Sequence, residues 1–318
     1  MIIGITGSTG GLGRRLSELL NARGYHLKCL VRKSSNTNFL NLKNIELVYG
    51  DITDEKSLKE FIKGIDICIH IAAQVSSAPK TVLHQINVEG TRNICEAIRL
   101  YNHDCRFIYC SSIVVCNYRK IKKYSYSDYT ISKYDAEQVV NQYFDELKTT
   151  IIYPGYIYGP YDRLLIPSII KMLKDGLPFY VNGGEKNAPV VYIDDLCELF
   201  IKCIFDKKAI GKKYVSLEKT DIGIHEIIRV IASLTGYSVP TKKYPKWFAR
   251  IYMKINTLFL GKTTLSLREI NILSNHAKYF NNAQEIGWKQ KTTIADGLIK
   301  AINWYNQSIL SQEGYYEN

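Results

Sequence analysis

The chain is predicted to be an α/β protein built on a doubly wound parallel sheet with a smaller C-terminal lobe. Three observations predict it. Short β-rich apolar runs alternate with longer amphipathic stretches along the chain, the signature of parallel strands joined by crossover helices. The first run, MIIGIT, leads into GSTGGLG and then RRLSELLNARG, a strand, a glycine turn and a helix in direct succession. At 318 residues with 46% hydrophobic composition, the chain can bury one α/β domain and a second lobe.

Taken in order, strands are expected near 1–6, 26–31, 45–49, 66–71, 106–111, 149–153 and 189–192. Helices are expected near 11–23, 55–63, 79–101, 126–147, 163–175, 193–206 and 223–235. The first strand ends in the loop Gly7, Ser8, Thr9, Gly10, Gly11, Leu12 and Gly13, whose Gly7, Gly10 and Gly13 are spaced three apart. The first glycine permits a tight turn, the second lets backbone amides approach a pyrophosphate, and the third lets helix pack closely on strand. The helix that follows offers its N-terminus to phosphates. This is the dinucleotide-binding turn of a Rossmann-type sheet.

The second strand, HLKCLV, ends in Arg32, Lys33 and Ser34, and no acid occurs between Glu18 and Glu46. A carboxylate about 20 residues after the glycine motif favours NAD, whereas an arginine there accommodates the 2′-phosphate of NADP. Arg32, with Lys33 and Ser34 assisting, therefore points to NADP(H), with NAD(H) the alternative.

Near the middle of the chain, DYTISKYDAE places Tyr129 four residues before Lys133, and Ser112 follows the apolar run FIYCS. Four-residue spacing puts phenol and ammonium on one helical face, where the cation lowers the phenol pKa and makes it a usable proton donor. Ser112, Tyr129 and Lys133 are the candidate catalytic residues.

Further segments extend the pattern: Gly50-Asp51-Ile52, His70 with Ala72-Ala73, Asn87-Val88-Glu89-Gly90-Thr91, Ser111-Ser112, Pro154-Gly155 with Tyr158-Gly159-Pro160, Tyr192-Ile193-Asp194-Asp195, and Gly287-Trp288. With the glycine motif and Tyr129 to Lys133, the chain resembles the extended short-chain dehydrogenase/reductase superfamily over nearly its whole length. That group includes nucleotide-sugar epimerases and dehydratases, dihydroflavonol-reductase-like enzymes and 3β-hydroxysteroid-dehydrogenase-like enzymes. The resemblance implies that Asp51 and Ile52 lie at the adenine and that Ala72 and Ala73 line the path to the nicotinamide ribose. It implies that Pro154 borders the nicotinamide, with Ile157 among the cofactor contacts. Ser112 and Tyr129 would bond the reacting oxygen, and Lys133 would hold the ribose and tune Tyr129. It implies an NAD(P)-binding domain of residues 1–161 and about 183–216, interleaved with a substrate-binding lobe of about 162–182 and 217–318. A homodimer through the helices near 79–101 and 126–147 is implied as well.

Two departures bear on substrate. Many nucleotide-sugar enzymes of the superfamily carry an arginine before the Pro-Gly pair and another before the Tyr-x-Asp-Asp segment, the latter often at the sugar-nucleotide diphosphate. Tyr153 and Ala188 stand there in this chain. The segment from Ser112 to Tyr129 is also short, with Cys116-Asn117 in place of the common Tyr-Gly. The expected activity is thus an NADP(H)-preferring reductase or dehydrogenase acting on a carbonyl or secondary alcohol. The alternative is a nucleotide-sugar epimerase, 4-keto reductase or dehydratase with tightly held NAD. A non-catalytic dinucleotide-binding protein is a third reading, against which the intact Ser112, Tyr129 and Lys133 argue.

Composition narrows the remaining classes. The net charge of +12 attracts anions, but the lysines are spread along the chain and no nucleic-acid-binding motif occurs, so no nucleic-acid partner is expected. No run is apolar enough for a bilayer span and no signal pattern opens the chain, so a cytoplasmic protein is expected. Eight cysteines include no C-x-x-C pair, which points to free buried thiols and no metal. One segment, 244–261, is aromatic and apolar with Lys246, Arg250 and Lys254 at four-residue spacing. It reads as a lid, a peripheral membrane contact or a helix packed on its own lobe.

Overall fold

Runs of Ile, Val, Leu and Cys build the centre of the protein. The computed structural model describes residues 1–75, 78–120, 127–185, 187–218, 222–260, 270–271, 273–274 and 281–310. Its strands are β1 (Ile2–Thr6), β2 (His26–Val31), β3 (Ile45–Tyr49), β4 (Ile67–His70), β5 (Arg106–Cys110), β6 (Lys148–Pro154), β7 (Tyr156–Tyr158), β8 (Tyr180–Val181), β9 (Val190–Tyr192), β10 (Lys212–Ser216) and β11 (Lys243–Tyr244). Its helices are α1 (Gly11–Ala22), α2 (Glu55–Ile62), α3 (Lys80–Leu83), α4 (Gly90–Tyr101), α5 (Ile113–Lys120), α6 (Asp128–Gln142), α7 (Leu165–Lys174), α8 (Ile193–Phe205), α9 (Ile224–Thr235), α10 (Lys246–Leu260) and α11 (Ile294–Leu310).

These elements divide into two units. The first comprises Met1–Gly155, Ile193–Ser216 and Asn281–Lys289. Its seven parallel strands run in the order β10-β6-β5-β4-β1-β2-β3. The order reverses between β1 and β4, where Thr6 pairs with His70, and the carboxyl ends of strands at such a switch point form the usual ligand crevice of a doubly wound sheet. β4 and β5 are buried along nearly their whole length, as strands covered on both faces require. Phe61, Phe107, Tyr109 and Ile151 belong to the hydrophobic core around them.

The structure corrects three expectations within this unit. Residues 189–192 do not join the main sheet. β9 pairs with β7, and the seventh strand is instead β10, which pairs with β6. Its sequence KKYVS hid it, because an edge strand keeps its lysines exposed or half-buried and shows only part of the apolar alternation. The helix expected at 79–101 is a helical run interrupted by a π-helical segment at His84–Glu89. α6 closes at Gln142 and the chain turns before β6, short of the expected 147.

The unit boundaries follow from the same pairings. The first unit stops at Gly155 and resumes at Ile193, rather than at 161 and 183, because β7 and β9 form a separate two-stranded sheet. Residues 281–289 belong to it because Asn282 clips β10, accepting from Val215 N at 2.8 Å and donating to Lys213 O at 2.8 Å.

The second unit comprises the described residues of 156–192, 217–280 and 290–318. Asp162 accepts from the amides of Leu164, Leu165 and Ile166 at the start of α7, a carboxylate at the positive end of a helix. The buried Glu218 carboxyl accepts from the Tyr158 hydroxyl at 2.8 Å and from Tyr192 N at 2.9 Å. Phe179 collects Tyr244, Phe248 and Tyr252 edge-on at ring centroid distances of 5.1, 5.7 and 5.1 Å. One face of α10 is therefore packed on its own unit. Trp247, Ile251, Ile255, Leu258 and Phe259 of the same helix are exposed.

All eight cysteines are free, and seven of them are buried. Burial pushes the Cys29 thiol up to about 11 and the Cys105 and Cys203 thiols to about 12, which leaves them protonated and inert. Among the described residues no helix is long and apolar enough to cross a membrane. Nor does any group of three His, Cys, Asp or Glu side chains among them suit a metal ion.

Candidate active site

Three glycines give the turn after β1 its shape. Gly7 adopts φ +75°, and a Cβ there would lie 2.6 Å from Ala72 N, so Gly7 is held both by its backbone conformation and by the close approach of the β4 end. A Cβ on Gly13 would lie 2.1 Å from Gly7 O, so α1 rests directly on the loop. Gly10 differs. A Cβ there would meet only Gly7 O, at 3.4 Å, and the residue is exposed. Gly10 also precedes α1, whose first turn has neither a capping side chain nor an acid. Helix amides with open approach and no competing carboxylate fit the pyrophosphate of a dinucleotide. Ser8 and Leu12 are buried, and Thr9 and Gly11 half-buried, around this opening.

β2 lies beside β1, so its end places Arg32, Lys33 and Ser34 next along the sheet from the glycine turn, all three exposed. Asp51 follows β3 and organises its own loop, accepting from Thr53 N and Thr53 Oγ1 at 2.9 Å each. Ile52 turns its side chain into the core against Gly90, and its carbonyl accepts from Asn93 Nδ2 at 2.9 Å. Its side chain is thus turned away from any ligand at the end of β3. Ala72 and Ala73 are half-buried beyond β4.

α6 carries the second half of the site. Ser127 caps it by accepting from Thr130 N at 3.2 Å. Tyr129, half-buried, lies one turn before Lys133. Lys133 is 3% exposed, and its Nζ donates to Cys110 O at 2.9 Å and to the Tyr109 hydroxyl at 3.0 Å. Burial pulls its ammonium down to about 8, so it still carries its charge at neutral pH. Cys110 ends β5, and Ser111 and Ser112 follow directly, with Ser112 O accepting from Val115 N as α5 begins. Lys133 thereby pins α6 to the strand end from which Ser112 emerges.

A chain of hydrogen bonds that sequence reasoning missed fixes the same region. Thr91 Oγ1 donates to Asn87 O at 2.6 Å, so its contact with His70 Nε2 at 3.0 Å requires the imidazole to donate there. His70 Nδ1 then accepts from the Thr6 hydroxyl at 2.7 Å, and Thr6 Oγ1 accepts from Ala72 N at 3.3 Å. Burial, and secondarily the Lys133 charge, hold this imidazole down at about 3, so it is neutral. Asn87 Nδ2 donates to Ser132 Oγ at 2.9 Å, while Asn87 Oδ1 accepts from Gln74 N at 2.7 Å. The loop after β4 is tied in this way to the turn of α6 between Tyr129 and Lys133.

Glu137, one turn beyond Lys133, is fully buried. It accepts from Ser111 Oγ at 2.8 Å and from the Tyr153 hydroxyl at 2.7 Å. Position 153 therefore faces the sheet-helix interior and lies 2% exposed. Ala188 is equally buried, with its amide on Ile222 O, and offers no side chain to a diphosphate. Pro154 ends β6 in register with Ser216. Ile157 belongs to the second unit, on β7 opposite Val191. Of the expected site residues, Gly7 and Ala72 are in close contact, and Ser112, Tyr129 and Lys133 share the ends of β5 and α6.

A parallel sheet with its switch point at a glycine turn, and a Tyr and Lys one turn apart beside a Ser, define a Rossmann-type dinucleotide-dependent enzyme. More particularly, the chain belongs to the NAD dependent epimerase/dehydratase family, whose model matches residues 3–215. It is 25% identical to a UDP-glucose 4-epimerase of Vibrio cholerae over 96% of this chain and 95% of that one. It is 24% identical to 4-hydroxy-2-methyl-3-oxo-4-farnesyl-3,4-dihydroquinoline-1-oxide ketoreductase of Stigmatella aurantiaca over 77% of each. Its fold matches dTDP-glucose 4,6-dehydratase of Streptomyces venezuelae, solved with NAD bound, at a TM-score of 0.75 and 22% identity over 99% of this chain and 100% of that one.

Proposed function

We propose that this enzyme transfers hydride between a nicotinamide cofactor and a carbonyl or secondary alcohol, with Tyr129 as acid/base, and that it is a reductase preferring NADP(H). The observation that carries this reading is Lys133, buried at the end of β5, one turn from Tyr129 and beside the segment that presents Ser112. The bound cofactor supplies or accepts the hydride. In the reducing direction the Tyr129 phenol gives its proton to the substrate oxygen, and the Ser112 hydroxyl donates a second hydrogen bond to the developing alkoxide. Lys133, charged at neutral pH, favours the phenolate left behind and holds the ribose.

Gly7 to Gly13 receive the pyrophosphate, with Gly10 giving room for its approach. Arg32, Lys33 and Ser34 take the 2′-phosphate, Asp51 and Ile52 the adenine, and Ala72 and Ala73 the path to the ribose. Pro154 is assigned to the nicotinamide, and the second unit to substrate selection. Reduction of an apolar ketone is in keeping with the ketoreductase relative, and with Ala188 standing where many nucleotide-sugar enzymes carry an arginine.

The epimerase and dehydratase relatives favour a second reading, a nucleotide-sugar enzyme with tightly held NAD. Titration with NADPH and NADH, after assay of the purified protein for retained cofactor, separates the two. NADPH is expected to bind an empty protein at least 10-fold more tightly, and Arg32→Ser should remove that preference while leaving NADH within 3-fold. Retained NAD, or equal weakening of both cofactors, would overturn the NADP(H) assignment.

A further inference from the structure

α10 packs on its own unit through some of its side chains and, among the described residues, leaves others exposed. Ala249 is fully buried, and Phe248 and Tyr252 pack on Phe179. Beside them Trp247 is 63% exposed, Leu258 78% and Phe259 76%, with Ile251 and Ile255 about half exposed at 47% and 51%. The spacing 247, 251, 255, 258 and 259 sets these five on a single helical stripe. Lys246, Arg250 and Lys254 each precede one of them by a residue and therefore form a basic edge along that stripe. No acid occurs from Lys246 to Leu260, and Lys242 and Lys243 stand just upstream.

We propose that this stripe is a docking surface for an anionic lipid membrane, on which α10 lies parallel to the bilayer. The chemistry matches on both counts. Large apolar side chains that water would otherwise surround enter the acyl boundary, with Trp247 at headgroup depth, and the basic edge meets lipid phosphates. A second copy of the chain fits less well. Antiparallel self-pairing of two such helices would bring each basic edge against the other, like charge on like charge. The net charge of +12 adds long-range attraction to the same surface.

The test is co-sedimentation of the full chain with vesicles of phosphatidylcholine alone and with about a third phosphatidylserine. The expected result is binding to the anionic vesicles at least 10-fold tighter than to the neutral ones, weakened by added salt. Leu258→Ser/Phe259→Ser should lose that binding, and Arg250→Glu/Lys254→Glu should lose the preference for anionic lipid, both with the wild-type circular dichroism spectrum and melting curve. Neither pair is buried, so both variants are expected to fold. Wild-type protein that stays in the supernatant with anionic vesicles would overturn the proposal. So would unchanged binding by Leu258→Ser/Phe259→Ser, or a wild-type dimer that these two substitutions convert to monomer.

Discussion

Adding one methyl group at Gly13 or at Gly10 should separate folding from ligand binding at the same loop. At Gly13 the new Cβ would stand 2.1 Å from Gly7 O, 2.7 Å from Gly7 C and 2.9 Å from Ser8 Cα. All three are backbone atoms of a turn that is itself held against Ala72, so α1 must move off the sheet. Overpacking of that kind costs about 3 kcal/mol, which for a chain of 318 residues corresponds to a drop in Tm of roughly 4–5 °C. At Gly10 the backbone is extended, with φ −83° and ψ 165°, and the single neighbour at 3.4 Å is an ordinary contact. Gly10→Ala should therefore melt within about 0.5 kcal/mol of wild type. The same methyl group occupies the approach to the α1 amides, and the loss of two charge-assisted hydrogen bonds weakens dinucleotide binding by about 100-fold or more. Thermal melts and a fluorescence titration with NADPH and NADH read both effects. Gly10→Ala that binds either cofactor as tightly as wild type would refute the pyrophosphate site, and Gly13→Ala that melts with wild type would refute the packing argument.

Two further predictions concern the buried polar groups. Tyr153→Phe removes a hydrogen bond to a fully buried carboxyl and should cost about 2 kcal/mol by urea denaturation, with cofactor affinity unchanged; a cost below about 0.5 kcal/mol would mean that Glu137 does not depend on Tyr153. His70 sets a pH dependence whose sign follows from its burial. Its folded value of about 3 lies below the ordinary 6.5, so below pH 6.5 the unfolded chain takes up a proton that the folded chain refuses. Stability from this group is complete above pH 6.5 and falls by about 1.4 kcal/mol per unit as pH drops toward 3. Between pH 6.5 and 4.5 wild type should lose about 2 kcal/mol more than His70→Asn, and parallel losses would contradict a neutral His70.

The parts of this site that were readable in the sequence are those in which one residue type at one spacing does a local job. Gly7, Gly10 and Gly13 serve a single turn, and Tyr129 and Lys133 serve a single helical face, so their order along the chain carries their meaning. The His70 chain joins residues 6, 70, 72, 87, 91 and 132, and nothing in their local context marks them as partners before the sheet assembles. Glu137 was within reach, since it follows Lys133 by four residues on the same face of α6, but its bonds to Ser111 and Tyr153 depend on the pairing of β5 with β6. β10 escaped notice because its lysines look like loop. α10 left three readings open because its sequence carries more apolar and aromatic residues than one buried face needs, and only packing on Phe179 separates the packed side chains from the exposed ones.

Tyr129→Phe tests the central claim most directly, with cofactor binding and turnover measured on the same preparation. The panel should hold ketones, aldehydes and 4-keto sugar nucleotides, followed by reduced-nicotinamide absorbance. The substitution removes one hydroxyl from a half-buried ring, so binding of NADPH or NADH should stay within about 3-fold of wild type while turnover falls by about 100-fold or more. Turnover that survives in Tyr129→Phe would contradict Tyr129 as the proton donor and, with it, the mechanism assigned to Ser112 and Lys133.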